Sequence, residues 1–331
     1  MSSPVPYYGP DEDEATINLE RFFLAGDFVT GFGYGVQFVL WAISVRYLWN
    51  KRPRGRNAML LLSYITLLLV VETIFAIVQA RTVELMYIDN RNYPGGPWQY
   101  FLATQNLPVN VMFFATLVTI TLLCDILVFW RCWVIWSAFG RTAAFAATFV
   151  PLLTLIASFV MGTLWTLQSS HPGLSLYSAE PLAFGTAYYT LSLGTNVLLT
   201  ALITTRLLLF RREHAAALSS EHGSQYLSLA TLVVESAALY SAFAVAFLVS
   251  YALNAPINQI WLGFAQAAQQ VATYLIIFRV ADGTAWTTQT MRSATVTTID
   301  FRDGRGRGRG AALTTTTRYS EMDAGRRTPR P

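Results

Sequence analysis

Lysine occurs once, at Lys51, and histidine only at His171, His214 and His222. A retinal-type Schiff base needs a lysine inside a span. Intramembrane zinc or haem chemistry needs histidine there. A lysine in a connection and histidines in or beside connections supply neither. Cysteine is nearly as scarce: Cys124 and Cys132 fall in one apolar stretch and at its end, so they cannot staple separate outer loops. No Asn-x-Ser/Thr acceptor occurs, no glycine loop precedes a lysine, and no serine and histidine share a depth suited to nucleophilic chemistry. The expectation is a protein that is not an enzyme, carries no cofactor and holds no metal.

Charge is short as well. The 331 residues are 13% charged against 53% hydrophobic, with a mean hydropathy of +0.40, which leaves too little charge to clothe a soluble surface. What is present instead is a series of apolar runs of about 20 residues or more, the length a helix needs to cross some 30 Å of hydrocarbon. Strands of a membrane barrel would be shorter and alternate in polarity. The runs predict an all-α bundle with spans at 27–49, 58–80, 109–131, 142–166, 182–210, 227–253 and 258–279. They divide the chain into an acidic N-terminal segment, 1–26, a seven-helix domain, 27–280, and a basic tail, 281–331.

Orientation follows from arginine and lysine, which are retained on the cytosolic side of short connections. Lys51, Arg52, Arg54 and Arg56 fill the first connection, Arg131 and Arg141 flank the third, and Arg206, Arg211 and Arg212 the fifth. The opposite side carries only Arg21, Arg81 and Arg91. The opening residues, with Asp11, Glu12, Asp13 and Glu14, have no signal-peptide pattern, so the first span is expected to insert as a signal anchor with the N-terminus outside. An acidic head outside and a basic tail inside require an odd number of spans. Trp98 and Tyr100 at one end of the third span, and Trp130, Trp133 and Trp136 at the other, suit the two interfacial belts.

The tail changes character, with Gly and Arg alternating over 304–310 and four threonines at 314–317. It lacks the apolar area to order itself and reads either as a solvated segment that enforces topology or as one drawn to anionic lipid. Nucleic acid is not an expected partner. The outer connection 81–107 contains Pro94, Gly95 and Gly96, and reads as a connector or a cap over a pocket.

Ionisable groups inside hydrocarbon cost roughly 2.5 to 3.5 kcal/mol to insert, so each invites a functional reading. Helical facing sorts the polar residues into two layers. Glu72 and Gln79 share a face of the second span, and the last span carries a stripe of Gln259, Gly263, Gln266, Gln270 and Thr273; together these predict an outer ligand-binding layer of Glu72, Gln79, Gln266 and Gln270. Asp125, Asn196 and Glu235 predict an inner layer, with Arg131 at the third span's end as a partner for Glu235 in a switch or as a side chain reaching headgroups. Interhelical packing alone is the other reading of both layers. Gly31 and Gly35 form a G-x-x-x-G that close packing within the bundle would explain.

Asp125 with the run Phe129-Trp130-Arg131-Cys132-Trp133-Val134-Ile135-Trp136, and the exit Ile276-Ile277-Phe278-Arg279-Val280-Ala281 to Ala285-Trp286, resemble the uncharacterised seven-helix proteins of mushroom-forming (basidiomycete) fungi. The resemblance covers the bundle and leaves the tail aside. It implies a receptor-like topology similar to that of G-protein-coupled receptors. The chain departs from the rhodopsin-type pattern: it has no Asp-Arg-Tyr after the third span, no Asn-Pro-x-x-Tyr in the seventh and no outer cysteine pair. The expected function is small-molecule sensing at the plasma membrane with a G protein as partner. The alternative is proton- or cation-coupled transport in which Glu72, Asp125 and Glu235 relay charge, against which the spans show no inverted repeat.

Overall fold

The computed structural model describes residues 12–50, 56–174, 178–213 and 220–281. The basic connection at 51–55 and the tail from 282 lie outside the described residues, as do the expectations attached to them. Eight α-helices occur among them: α1 (Glu14–Asn50), α2 (Arg56–Glu84), α3 (Gly96–Ala103), α4 (Pro108–Ser137), α5 (Arg141–Ser169), α6 (Ala179–Glu213), α7 (Ser220–Ala252) and α8 (Asn258–Ala281). A π-helical turn, Leu85–Asp89, prolongs α2, closed by the Asn90 backbone N–H and side-chain amide on the Leu85 carbonyl at 3.1 and 3.0 Å.

Local sequence sets the ends. Asp13 precedes α1 and accepts a hydrogen bond from the Thr16 hydroxyl at 2.5 Å, and this bond holds its carboxyl below the ordinary carboxylate range. Pro97 and Pro108 stand in the first turns of α3 and α4, where the missing N–H costs nothing. Gly140, at φ +132°, breaks the chain between α4 and α5.

Six helices contain stretches long and apolar enough to cross a membrane: Glu14–Tyr47, Met59–Asp89, Pro108–Ser137, Arg141–Ser169, Ala179–Phe210 and Val234–Ala252. The protein is a multi-pass membrane bundle. Its polarity is inverted relative to a soluble fold: Phe28 and Phe32 on α1 are 79% and 71% exposed, while Gln37, Glu72 and Asp125 are buried. A stripe on α5, Phe145, Phe149, Leu152, Ile156 and Phe159, looks outward at helical spacing. With 24 residues, α8 is about 36 Å long, enough to span by length. Its glutamines are what lower its hydropathy.

The seven long helices form a closed ring in the order α1, α2, α4, α5, α6, α7, α8, and α8 returns to α1. Contacts across the ring, from α4 to α6 and α8, make α4 the innermost element. The α1–α8 contact depends on small residues. A Cβ at Gly26 would stand 2.6 Å from the Gln259 carbonyl oxygen, and one at Gly33 2.8 Å from the Ala267 Cβ. Gly31 and Gly35 are different. A Cβ at either would meet nothing within 4 Å, so the G-x-x-x-G faces away from the bundle and the in-bundle packing expected for it is corrected.

The connection after α2 is folded rather than a bare linker. Trp98 and Phe101 of α3 pack with Met86 of the π-turn and Phe23 of α1, and Phe23 meets Trp98 edge-on at 6.0 Å. This cluster closes one end of the bundle, called here the α3 end.

Candidate functional site

Hydroxyls within apolar helices mostly satisfy themselves on the carbonyl four residues back, as Thr73 does on Leu69 at 2.8 Å and Thr121 on Leu117 at 3.2 Å. The informative polar groups are those that reach another helix. Asp125 of α4, 2% exposed, accepts from the Ser192 hydroxyl of α6 at 2.8 Å through Oδ2 and from Gln269 Nε2 of α8 at 2.9 Å through Oδ1. The Tyr240 hydroxyl of α7 stands beside Ser192. Glu72 of α2, 1% exposed, faces Gln270 of α8 and Gln37 of α1, each also 1% exposed. Beside it the Tyr34 hydroxyl of α1 meets Thr73 of α2 at 3.0 Å.

Gln269 and Gln270 are consecutive, separated by about 1.5 Å along the helix axis. The two layers read from the sequence are therefore one layer, in which neighbouring residues of α8 engage acids from two different helices. Glu72 and Asp125 both stand near mid-helix, because α2 runs past residue 80 through the π-turn and α4 runs past residue 131 to Ser137.

Of the residues read as an outer site, Glu72 and Gln270 come together, and Gln266 lies one turn along α8 at a small cleft with Thr121, Tyr189, Tyr240 and Phe247. Gln79 stands apart and donates to Asp27 of α1. Of the inner set, Asp125 is the hub. Asn196, one turn beyond Ser192, lines a small crevice with Thr200, Ser236, Tyr240, Gln269 and Thr273 and makes no bond to Asp125. Arg131 is buried and donates to the Ile276 carbonyl of α8 at 3.4 Å. Glu235 is exposed on α7, and the expected pairing of Arg131 with Glu235 does not form. The reason is helical facing: Tyr240, Ala244, Phe247 and Tyr251 point inward, and five residues from Tyr240 turn Glu235 about 140° away from that face.

Three partners were missed. Gln269 lies next to the stripe of Gln266, Gln270 and Thr273, displaced by one residue and hence about 100° around the helix. Asp27 stands at the first position of its predicted span, where a carboxylate reads as interfacial. Gln37 carries no sequence signal beyond being an amide in an apolar run.

The layer is not saturated. Glu72 Oε2, Gln37 Oε1 and Gln266 Nε2 are enclosed without a partner, and the Gln270 amide, turned toward Glu72, closes no well-formed hydrogen bond. Enclosed polar atoms of this kind are costly, about 1–3 kcal/mol each, and are suited to a ligand that supplies the complementary groups. Among the described residues no group of three His, Cys, Asp or Glu side chains is placed to hold a metal ion. Cys124 and Cys132 are both free and buried.

No protein-family model, curated protein or solved structure matches this chain.

Proposed function

We propose that this chain is a receptor-like seven-helix membrane protein that senses a small polar molecule at the Glu72–Gln270 layer. In this reading α8 is the seventh span, the start of α1 faces the exterior of the plasma membrane and the far end of α8 faces the cytosol. The resemblance to the fungal seven-helix proteins supports that topology. The carrying observation is the use of one short stretch of α8 for several helices: Gln270 faces Glu72, Gln269 holds Asp125, and two turns on the Ile276 carbonyl receives Arg131. A ligand that engages the unpaired atoms around Glu72 would move α8, and α8 carries that displacement to the cytosolic end. The proposed partner there is a G protein, and the basic tail is proposed to rest on anionic lipid.

The experiment is gentle purification from the native membrane, followed by a non-hydrolysable GTP analogue. A G-protein α subunit should copurify and leave on addition of the nucleotide. Absence of any α subunit, while a known receptor in the same preparation keeps its own, would sink the receptor reading. With a ligand in hand, Glu72→Gln and Gln266→Leu should each abolish its binding.

One observation favours proton- or cation-coupled transport as a second reading: although Glu235 is exposed and drops out of the expected relay, half-buried Asp27 and buried Glu72 and Asp125 place carboxyl groups on three successive long helices. That reading expects ion flux through liposomes that Glu72→Gln stops and Glu235→Gln leaves intact. Flux insensitive to Glu72→Gln would reject it.

A further inference from the structure

A second group of unpaired oxygens lies at the α3 end, about 25 Å along α1 from Gln37 and separate from the layer just described. Glu20 of α1 is only 7% exposed. One side of its carboxyl meets the backbone N–H of Trp98, and its Oε1 is enclosed with no partner. Glu12, just before α1, lies against Gly96 so closely that a Cβ there would overlap its carboxylate, and both its oxygens are enclosed and unpaired. The Tyr87 hydroxyl, presented by the π-turn, is also enclosed and unpaired. Glu12 at Gly96 and Glu20 at Trp98 thus meet the first turn of α3 two residues apart, and Tyr87 packs against the same Phe23–Trp98 cluster.

Two carboxyl groups enclosed together repel unless a proton or a cation lies between them. Of the basic side chains at this end, Arg21 donates to Asn18 at 3.2 Å and Arg81 pairs with Glu84 at 2.7 Å and Asp89 at 3.5 Å, and among the described residues neither these nor Arg91 forms an ion pair with Glu12 or Glu20. The unpaired atoms are all oxygens, the donor type of hard cations. Calcium tolerates an irregular shell completed by water, whereas magnesium demands near-octahedral geometry.

We propose that Glu12, Glu20 and Tyr87 bind a calcium ion that clamps the start of α1 onto the connection bearing α3. With two acidic ligands the site is weak, on the order of 0.1 to 1 mM, within the range of extracellular calcium modules. The orientation proposed above puts it on the side where such a site is filled.

Terbium provides the test, because its emission is sensitised by nearby tyrosine and tryptophan and it occupies calcium sites. The full chain, purified in detergent, should show terbium emission on excitation of its aromatic residues, and calcium should displace it. Glu12→Gln and Glu20→Gln should each weaken binding about tenfold or more, since affinity follows ligand charge. Tyr87→Phe should weaken it less, and Glu72→Gln should change nothing, which separates this site from the proposed sensing layer. Should Glu20→Gln fail to fold, Glu12→Gln, at the less buried position, carries the test alone. Absence of sensitised emission, or emission unaltered by Glu12→Gln, overturns the proposal and leaves a proton between the two acids.

Discussion

Gly26→Leu is expected to prevent α1 from seating on α8, with loss of the monodisperse species on purification or a large fall in Tm. Gly31→Leu and Gly35→Leu should leave both unchanged or raise Tm slightly. The three positions lie within ten residues of one apolar helix, so composition does not distinguish them. Geometry does. At Gly26 the obstructing atom is the Gln259 backbone oxygen, 2.6 Å from where a Cβ would stand, and a backbone oxygen in a helix cannot turn aside as a side chain can. Overpacking against yielding neighbours costs about 1–3 kcal/mol. Against backbone the cost belongs at or above the top of that range. At Gly31 and Gly35 there is no neighbour within 4 Å, and replacing a mid-helix glycine with leucine recovers most of the roughly 1 kcal/mol of helix propensity that glycine forgoes. Thermal unfolding of the three variants in one detergent is the measurement. Equal damage from Gly31→Leu would mean that this face of α1 is covered in the folded protein, and the assignment of it to lipid would fall.

These glycines mark where the sequence is legible and where it is not. Long apolar runs locate helices because hydrocarbon admits nothing else, and six of the seven predicted spans correspond to helices that meet both length and hydropathy requirements. The run at 258–279 is a helix as expected, Asn258–Ala281, although its glutamines keep it below the hydropathy that the other six long helices reach. Facing is less legible. A period of 3.6 groups Glu72 with Gln79 and Gln266 with Gln270, but it gives no absolute rotation of a helix that is apolar on most sides. Glu235 shows the consequence: on a helix whose inward face is aromatic, the acid points out, and only the packing of Tyr240 and Phe247 reveals it. Gln269 shows the same in reverse. It falls outside the recognised stripe and yet makes the central bond to Asp125. Depth is least legible, because it depends on where a helix ends, and α2 and α4 both extend past the predicted spans that carry Glu72 and Asp125.

The second large effect is expected at Asp125. Replacing it with alanine removes the acceptor for both the Ser192 hydroxyl and the Gln269 amide, in a place only 2% exposed. Each stranded donor costs about 1–3 kcal/mol when nothing replaces the lost partner. Interhelical hydrogen bonds in membranes average nearer 0.6 kcal/mol, since groups in the unfolded reference also find partners. With two donors stranded and a side-chain void added, Asp125→Ala should lose about 2 kcal/mol or more. Asp125→Asn should lose little. Its carbonyl oxygen still accepts from Gln269, its amide becomes a donor, and the Ser192 hydroxyl can rotate to accept where it had donated. The pair of variants therefore separates the hydrogen-bonding role of Asp125 from its capacity for charge, with Tm reading the first and nucleotide-sensitive release of a G-protein α subunit the second. An Asp125→Asn protein with near-normal Tm and no release would place the function in the ionisable carboxyl. Near-normal values of both would reduce Asp125 to a packing bond, and equal destabilisation by Asn and Ala would mean that the Ser192–Asp125–Gln269 bridge depends on the negative charge itself.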